Sequence, residues 1–249
     1  MIEREVHGEV AVLRLAHGKA SALDLELLLA LDAALRTEAQ SQERALVLTG
    51  SGTIFCAGVD LKRMVEGKRA YIEKFLPALD RVFEHLFFLE KPVVAAINGH
   101  AIAGGAVLAL AADYRLLARG KGLIGTPELK VGVPFPFLAL EIVRAALGEK
   151  LAAELATLGN NYSGEDSLAR GLVHELVGFE ALLPRALETA TRLAAVSGDS
   201  FQLTKRWLRR SSQELFSRNR AESEKAVLEA WCSAATLQAV EGYVARTLR

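Results

Sequence analysis

The amino-acid sequence predicts an α/β fold followed by a helical C-terminal section. Between residues 45 and 118, short apolar runs of strand length alternate with longer runs of helical periodicity, which is the pattern of layered α/β domains. After Pro136 the pattern is helical almost to the end of the chain. The length of 249 residues suits one large domain, or one domain with an appendage.

The composition favours a soluble globular protein that does not bind polyanions. Hydrophobic residues make up 51% of the chain and charged residues 24%, which is enough for a sizeable core. Thirty basic side chains balance thirty acidic ones, which argues against a general nucleic-acid or anionic-membrane binder. The N-terminus lacks a signal-peptide pattern, and no uncharged apolar run is long enough to span a membrane. Cys56 and Cys232 are expected to be free thiols, so we expect a cytoplasmic protein.

Local signals define the individual elements. Ile2–Val6 and Val10–Leu15 flank a His-Gly-Glu segment and predict a hairpin. Ser21 and Asp24 resemble a capping box ahead of a helix, and Ala45–Leu48 is typical of a buried strand. Further strands are predicted at Pro92–Ile97 and Asp113–Ala118, and further helices near Arg69–Leu89, Leu138–Ala146, Lys150–Leu158, Ala181–Ala195, Phe201–Arg210 and Arg220–Leu248.

A soft boundary near Val196 divides the sequence into a core, residues 1–196, and a C-terminal helical section, residues 197–249. The second section carries Trp207, Trp231 and Leu237, which need a surface to bury them. That surface is either the chain's own core or a neighbouring subunit.

Three segments combine glycines, a proline and carboxylates in patterns that indicate a binding site. They are Ile54–Leu61 (IFCAGVDL), Ile97–Gly105 (INGHAIAGG) and Thr126–Leu129 (TPEL). A glycine doublet alone usually marks a turn or close packing. In this order and at these separations, the three segments resemble the crotonase family, also called the enoyl-CoA hydratase/isomerase superfamily, over roughly residues 10–210.

The resemblance implies a crotonase (ClpP-like) spiral of ββα units that assembles into trimers or hexamers. It also implies an acyl-coenzyme A thioester as substrate, a role in fatty-acid metabolism, and neither a metal nor a separate cofactor. The run Gly104–Arg115 is most similar to the Δ3,Δ2-enoyl-CoA isomerase branch. The residues that the resemblance places against the acyl-CoA are Ala20, Ala22, Ala57, Gly58, Asp60 and Leu61.

The implied chemistry is stabilisation of a thioester enolate by two backbone N–H groups. Negative charge develops on one oxygen, and backbone donors already aimed at it need no reorganisation. The resemblance gives this role to Val59 and Gly104. Gly104 also opens a predicted buried helix, whose free N–H groups and dipole favour an anion.

The resemblance also implies that Glu128 is the catalytic base. Hydratases of the family carry a second glutamate three residues after the oxyanion-hole glycine, whereas this chain has Val107. One carboxylate suffices to move a proton from C2 to C4, so we expect an isomerase. A hydratase that holds its water elsewhere, an acyl-CoA hydrolase or C–C bond lyase, and a non-catalytic acyl-CoA-binding protein remain open alternatives.

Four conspicuous polar residues have other interpretations. Asp60 can equally be the N-cap of a helix. Lys205 belongs to a basic stretch around Trp207, and the resemblance implies that it contacts a coenzyme A phosphate, the alternative being a solvated helix face. His100 and Cys56 are expected to have structural roles.

Overall fold

The computed structural model describes residues 1–247. Its strands are β1 (Ile2–His7), β2 (Val10–Leu15), β3 (Ala45–Gly50), β4 (Ile54–Cys56), β5 (Val93–Ile97), β6 (His100–Ile102), β7 (Tyr114–Ala118), β8 (Ile124–Gly125), β9 (Asn161–Tyr162) and β10 (Glu175–Val177). Its α-helices are α1 (Leu25–Gln40), α2 (Leu61–Phe87), α3 (Gly104–Leu110), α4 (Glu128–Val131), α5 (Phe137–Leu158), α6 (Gly164–Arg170), α7 (Leu182–Ala194), α8 (Gly198–Trp231) and α9 (Ala234–Thr247).

The strands form two sheets between which the chain alternates. The larger sheet has the order β1-β2-β3-β5-β7-β10, with an antiparallel β1–β2 hairpin and parallel pairing elsewhere. The smaller sheet has the order β4-β6-β8-β9. Each of β3, β5 and β7 is followed by a strand of the smaller sheet and then by a helix. The middle of the chain is therefore three successive ββα units, as the predicted α/β spiral requires.

The larger sheet is covered on both faces. Every residue of β3 and β5 is buried, as their continuous apolar runs predicted. On one face, Val10, Val47 and Val94 pack against α7 through Ala186 and Ala190. The alternate residues of the same strands belong to a larger apolar cluster with α1, α2 and α3. Each fully buried Val or Leu in these layers contributes about 1.5–3 kcal/mol.

Carboxylates cap the first two long helices. The N-cap of α1 is Asp24, whereas Ser21 donates its hydroxyl hydrogen bond to the Leu15 carbonyl, so the two do not form the predicted capping box. Helix α2 begins at Leu61, earlier than the prediction, because Asp60 caps its first turn. The helix kinks at Lys68, where φ is 45°, and the predicted start at Arg69 is the start of the segment after this kink.

The C-terminal helices differ from the prediction in two respects. Gly148, with φ of 75°, separates the two predicted halves of α5. Helix α8, in contrast, is continuous, so the predicted break between Phe201–Arg210 and Arg220–Leu248 is wrong. Residues 211–219 contain neither glycine nor proline, and nothing in them stops a helix. The chain turns after Trp231, which divides the predicted helix Arg220–Leu248 into the end of α8 and α9. Helix α9 is described as far as Thr247, and the predicted end, Leu248, lies outside the described residues.

No helix within residues 1–247 is both long and apolar enough to cross a membrane. Cys56 and Cys232 are free thiols, the first of them buried. The cytoplasmic location and the division of the chain at residues 196 and 197 stay predictions.

Candidate active site

A cavity of about 480 Å³ lies where the three ββα units lead into their helices. Its floor and walls come from the loop before α1 and from the first turns of α2, α3 and α4, and α8 and α9 close it. The residues that line it include Ala20, Ala22, Ala57, Val59, Asp60, Leu61, Leu79, Phe83, Gly104, Val107, Glu128, Val131, Trp231 and Tyr243. Most of this wall is apolar, which suits a ligand with a hydrocarbon part.

Two glycines bring the first and second sequence motifs into contact at the cavity. Gly58 has φ of +81°, and a Cβ built on it would lie 2.8 Å from the Ala103 Cβ and 3.3 Å from the Gly104 nitrogen. Any side chain here would force the two backbones apart, so both the conformation and the close approach require glycine.

The N–H group of Val59 is left without an acceptor. Leu23 forms a parallel bridge with Val59, in which the Leu23 N–H donates to the Gly58 carbonyl (2.8 Å) and the Asp60 N–H donates to the Leu23 carbonyl (2.9 Å). Successive N–H groups of an extended chain point in opposite directions, so the Val59 N–H points away from Leu23. It has no hydrogen-bond acceptor among residues 1–247.

The N–H group of Gly104 is the second free donor. Gly104 is the first residue of α3, and the preceding Ala103 has φ of 52° and ψ of −126°, a conformation that costs an alanine about 1–3 kcal/mol. Ala103 is held there because its N–H donates to the Gly125 carbonyl (2.8 Å) and its carbonyl accepts from the Val107 N–H (3.1 Å). The Gly104 N–H finds no acceptor in the described part of the chain. The strained turn thus presents this donor at the positive end of a helix.

Glu128 is a buried carboxyl in the wall of the same cavity. It is the first residue of α4, directly after Pro127, and only 8% of it is exposed. Its Oε2 atom is buried and has no hydrogen-bond partner. Burial in these surroundings raises the pKa of Glu128 from 4.5 to about 8. A carboxyl with a pKa near neutrality beside free backbone donors can both accept and return a proton.

The other carboxyl in the described wall of the cavity is already engaged. Asp60 caps α2: its Oδ1 accepts from the N–H groups of Lys62 (3.0 Å) and Arg63 (3.1 Å). The N-cap interpretation of Asp60 is therefore confirmed, although the residue also lines the cavity. Val107 is 1% exposed and presents only hydrocarbon to the cavity.

The structure brings together all but one of the residues that the motifs singled out. Gly58 lies behind the cavity wall, against Gly104. The other predicted residues line the cavity directly: Ala20, Ala22, Ala57, Val59, Asp60, Leu61, Gly104 and Glu128. Cys56 is buried, and His100 accepts a hydrogen bond from the Leu123 N–H at 3.3 Å, so both have the structural surroundings that we expected. The catalytic and binding roles of the assembled residues stay predictions.

Lys205 is the exception, and its predicted role needs correction. Its Nζ donates to Asp113 Oδ2 (2.6 Å) and to the Lys91 carbonyl (2.8 Å), and 5% of the residue is exposed. Burial lowers its pKa to about 8. Arg209, one helical turn later, donates to Asp113 Oδ1 at 2.6 Å. Lys205 therefore anchors α8 to the core and does not line the cavity as a phosphate ligand.

The cavity also contains residues that the sequence analysis did not place there. Trp231 is 1% exposed, donates its indole N–H to the Pro134 carbonyl (2.9 Å) and stacks on Phe75. Tyr243 joins it from α9, and Lys62 is an exposed cation at the rim. Lys62 directly follows the first motif and could have been found from that fact. Trp231 and Tyr243 carry no local signal that indicates where they pack.

Comparisons with known proteins assign almost the whole chain to one family. Residues 5–246 match the family model described as enoyl-CoA hydratase/isomerase. The chain is 32% identical over 212 residues to the short-chain-enoyl-CoA hydratase of Clostridium acetobutylicum, an alignment that covers 84% of this chain and 81% of that protein. It is 30% identical over 217 residues to the mitochondrial enoyl-CoA delta isomerase 1 of Mus musculus, with 86% and 75% covered.

A hydratase and an isomerase are thus similar to this chain at nearly equal identity, so sequence similarity alone does not choose between the two activities. Among solved structures, human mitochondrial delta3-delta2-enoyl-CoA isomerase superposes with a TM-score of 0.94 at 26% identity. The superposition covers 98% of this chain and 97% of the human one. It includes the helical C-terminal section as well as the ββα units.

Proposed function

Because the chain belongs to the enoyl-CoA hydratase/isomerase family and has the predicted crotonase fold, we propose that it isomerises 3-enoyl-CoA to 2-enoyl-CoA. One observation carries the choice of reaction. Among the described residues that line the cavity, Glu128 is the one carboxyl with a buried oxygen that lacks a hydrogen-bond partner, whereas Asp60 caps α2 and Val107 carries no carboxylate.

In the proposed mechanism the thioester oxygen lies between the N–H groups of Val59 and Gly104. Both donors lack acceptors among the described residues, so the oxygen takes their hydrogen bonds as enolate charge develops. Glu128 removes a proton from C2, which gives a dienolate delocalised over C2 and C4. The protonated Glu128 then delivers the proton to C4, and the double bond ends between C2 and C3.

The apolar surroundings of Glu128 suit such a shuttle. Burial holds its pKa at about 8, so the carboxylate is a stronger base than an exposed glutamate. The protonated form is also stable enough to survive until C4 receives the proton. Coenzyme A arrives as part of the substrate, and the proposed steps use no separate cofactor and no metal.

The acyl chain is proposed to extend between α2, α4 and α8, along Leu79, Phe83, Val131 and Trp231. The coenzyme A part of the bound substrate is proposed to extend out of the cavity between the loop before α1 and the start of α2. Lys62 lies at that rim, and we propose it as a cationic contact for the coenzyme A phosphates in place of Lys205.

A trimer or hexamer is the proposed assembly. Helix α8 presents Leu203, Trp207 and Leu208 with 52%, 59% and 75% of each residue exposed. Three large apolar side chains so close together on one helix favour an interface with another copy of the chain. Light scattering at micromolar concentration that showed a stable monomer would contradict this.

Comparing turnover of two substrates tests the reaction. The enzyme, given 3-enoyl-CoA and 2-enoyl-CoA of equal chain length, should isomerise the first far faster than it hydrates the second. Mass spectrometry separates the outcomes, since hydration adds one water and isomerisation leaves the mass unchanged. If hydration is the faster reaction, the proposal is wrong and the protein is a hydratase, the alternative that the similarity to the Clostridium enzyme favours.

A further inference from the structure

A second cavity lies between α2 and α8, beside the first, and has a volume of about 370 Å³. We name it the α2–α8 cavity. Its apolar walls are formed by Leu76, Pro77, Phe137, Phe216, Val227 and Leu228. The proposed isomerisation uses none of these side chains. A cavity of this size is large enough to hold a small organic ligand.

Asp80 is a buried acid in the wall of the α2–α8 cavity. It is 8% exposed, and its Oδ1 is buried without a hydrogen-bond partner. The charged groups that act on it are Glu84, Glu224 and Arg220. Arg220 is committed elsewhere, since it donates to Glu84 Oε2 (3.0 Å) and Glu224 Oε1 (2.9 Å). No cation in the described chain therefore neutralises Asp80 directly, and burial raises its pKa to about 7.

Helix α2 also carries a proline in the same wall. Pro77 lies inside α2 and has no N–H group to donate to the carbonyl of Glu73, one turn earlier. Both residues line the cavity. The α2–α8 cavity thus offers a buried carboxyl that lacks a donor, surrounded by hydrocarbon and the rings of Phe137 and Phe216. A ligand with several N–H donors, a positive charge and an apolar stem satisfies all of these features at once.

We propose that the α2–α8 cavity binds a primary alkylammonium ion, with its ammonium group on Asp80 and its alkyl chain along the apolar wall. The site is distinct from the acyl cavity, because Leu79 and Asp80 are neighbours on α2 but line different cavities. The two cavities share Pro136. Three carboxyls (Glu73, Asp80 and Glu224) and one cation (Lys225) are in the described lining of the α2–α8 cavity, so its net charge favours the approach of a cation.

Titration calorimetry with n-hexylammonium chloride at pH 8 tests the proposal. At this pH an alkylammonium remains protonated, as a lysine does, and Asp80 is mostly ionised. The wild type should bind hexylammonium, and Asp80→Asn should bind it at least about tenfold more weakly, because a charge-assisted hydrogen bond is lost. Hexan-1-ol, which has the same stem and no charge, should bind the wild type more weakly than hexylammonium does.

Two variants serve as controls. Asp199→Asn removes an exposed carboxylate from α8, the helix that faces Asp80 across the cavity, and should leave hexylammonium binding unchanged. Glu128→Gln removes the buried carboxyl of the acyl cavity and should also leave hexylammonium binding unchanged. If Glu128→Gln abolishes binding while Asp80→Asn does not, the amine occupies the acyl cavity and the proposal is overturned.

A cavity-filling variant tests the site independently of charge. Ala221 lines the α2–α8 cavity from α8, and Ala221→Phe should block hexylammonium while Asp80 stays intact. Melting temperatures close to that of the wild type establish that Asp80→Asn and Ala221→Phe are folded. Equal hexylammonium affinity in the wild type and in both folded variants would overturn the assignment.

Discussion

Glu128 and Val107 line one cavity, and of the two only Glu128 carries a group that can move a proton. Val107 lies on α3, one turn after Gly104, and its N–H donates to Ala103, so the residue is part of the turn that presents the oxyanion donor. The proposed proton chemistry therefore depends on Glu128, the one carboxyl in the described lining with a buried oxygen that lacks a hydrogen-bond partner. The first three predictions concern that carboxyl.

Glu128→Gln should remove most of the isomerase activity while it preserves the shape of the site. A positioned acid-base group contributes roughly 10²–10⁴-fold, so kcat should fall at least a hundredfold. The affinity for the acyl-CoA should stay within several-fold of the wild type, because glutamine fills the same volume. Steady-state kinetics and calorimetry measure the two quantities. An undiminished rate would remove Glu128 from the mechanism.

The activity should also rise with pH up to a value set by Glu128. The base must be ionised before it can take the C2 proton, and burial puts its pKa at about 8 in the free protein. The pH profile of kcat/KM reports the free enzyme, so its acidic limb should have a midpoint near 8. A profile that is flat between pH 6 and 9 would contradict this assignment.

The same burial has a cost in stability that grows with pH. The pKa of Glu128 is raised from 4.5 to about 8 on folding, so the folded state binds more protons than the unfolded state between these values. The contribution of Glu128 to stability is therefore fully present below about pH 4.5 and is lost as the pH rises through about 8. Glu128→Gln, which cannot ionise, should gain stability over the wild type across this range.

At pH 9 the gain in unfolding free energy should be several kcal/mol, because burial raises the pKa of Glu128 from 4.5 to about 8 and one pKa unit corresponds to about 1.4 kcal/mol. Urea unfolding at pH 5 and pH 9 measures the two differences, and the difference at pH 5 should be much smaller. A variant that is less stable than the wild type at pH 9 would show that Glu128 has a partner when ionised.

Much of the site was predictable because its proposed catalytic residues lie in short contiguous motifs. Val59 follows Gly58, Gly104 opens a glycine doublet and Glu128 follows Pro127. The family resemblance of these motifs implied the roles of the three residues without any knowledge of distant contacts. The closure of the cavity was not predictable in this way. Trp231 and Tyr243 come from helices far along the chain, and helical periodicity does not specify which surface such residues meet.

Lys205 shows the same limit for charged residues. A basic helical stretch is usually solvated, and neither periodicity nor composition revealed that Lys205 and Arg209 face inward together. Their partly buried partner, Asp113, comes from a loop 92 positions before Lys205 in the sequence. Long-range ion pairs of this kind need the tertiary structure.

This correction yields a prediction that separates two lysines. Lys205→Met should leave acyl-CoA affinity unchanged and lower the unfolding free energy by about 1–3 kcal/mol, because Asp113 loses one of its two cations. Lys62→Ala should do the opposite, weakening acyl-CoA binding several-fold at low salt and less at high salt. Calorimetry at two salt concentrations and thermal unfolding measure both effects. A loss of affinity in Lys205→Met would restore its role as a phosphate ligand.

The last prediction concerns the contact between Gly58 and the turn before α3. A methyl group on Gly58 would lie 2.7 Å from the Ile102 carbonyl oxygen and 2.8 Å from the Ala103 Cβ, both in the segment that presents Gly104. Gly58→Ala should therefore push the Val59 and Gly104 N–H groups apart. The loss of one oxyanion donor costs about 3 kcal/mol of transition-state stabilisation, so kcat should fall by roughly a hundredfold.

Gly52→Ala is a matched control for the backbone conformation. Gly52 also has a positive φ, +60°, but an added Cβ there meets nothing within 4 Å. Both variants carry the strain of an alanine in the left-handed region, of about 1–2 kcal/mol, and both should lose some stability. Only Gly58→Ala should lose activity as folded protein. If the two variants have equal kcat under conditions in which both are folded, the close approach of Gly58 to Gly104 has no part in catalysis.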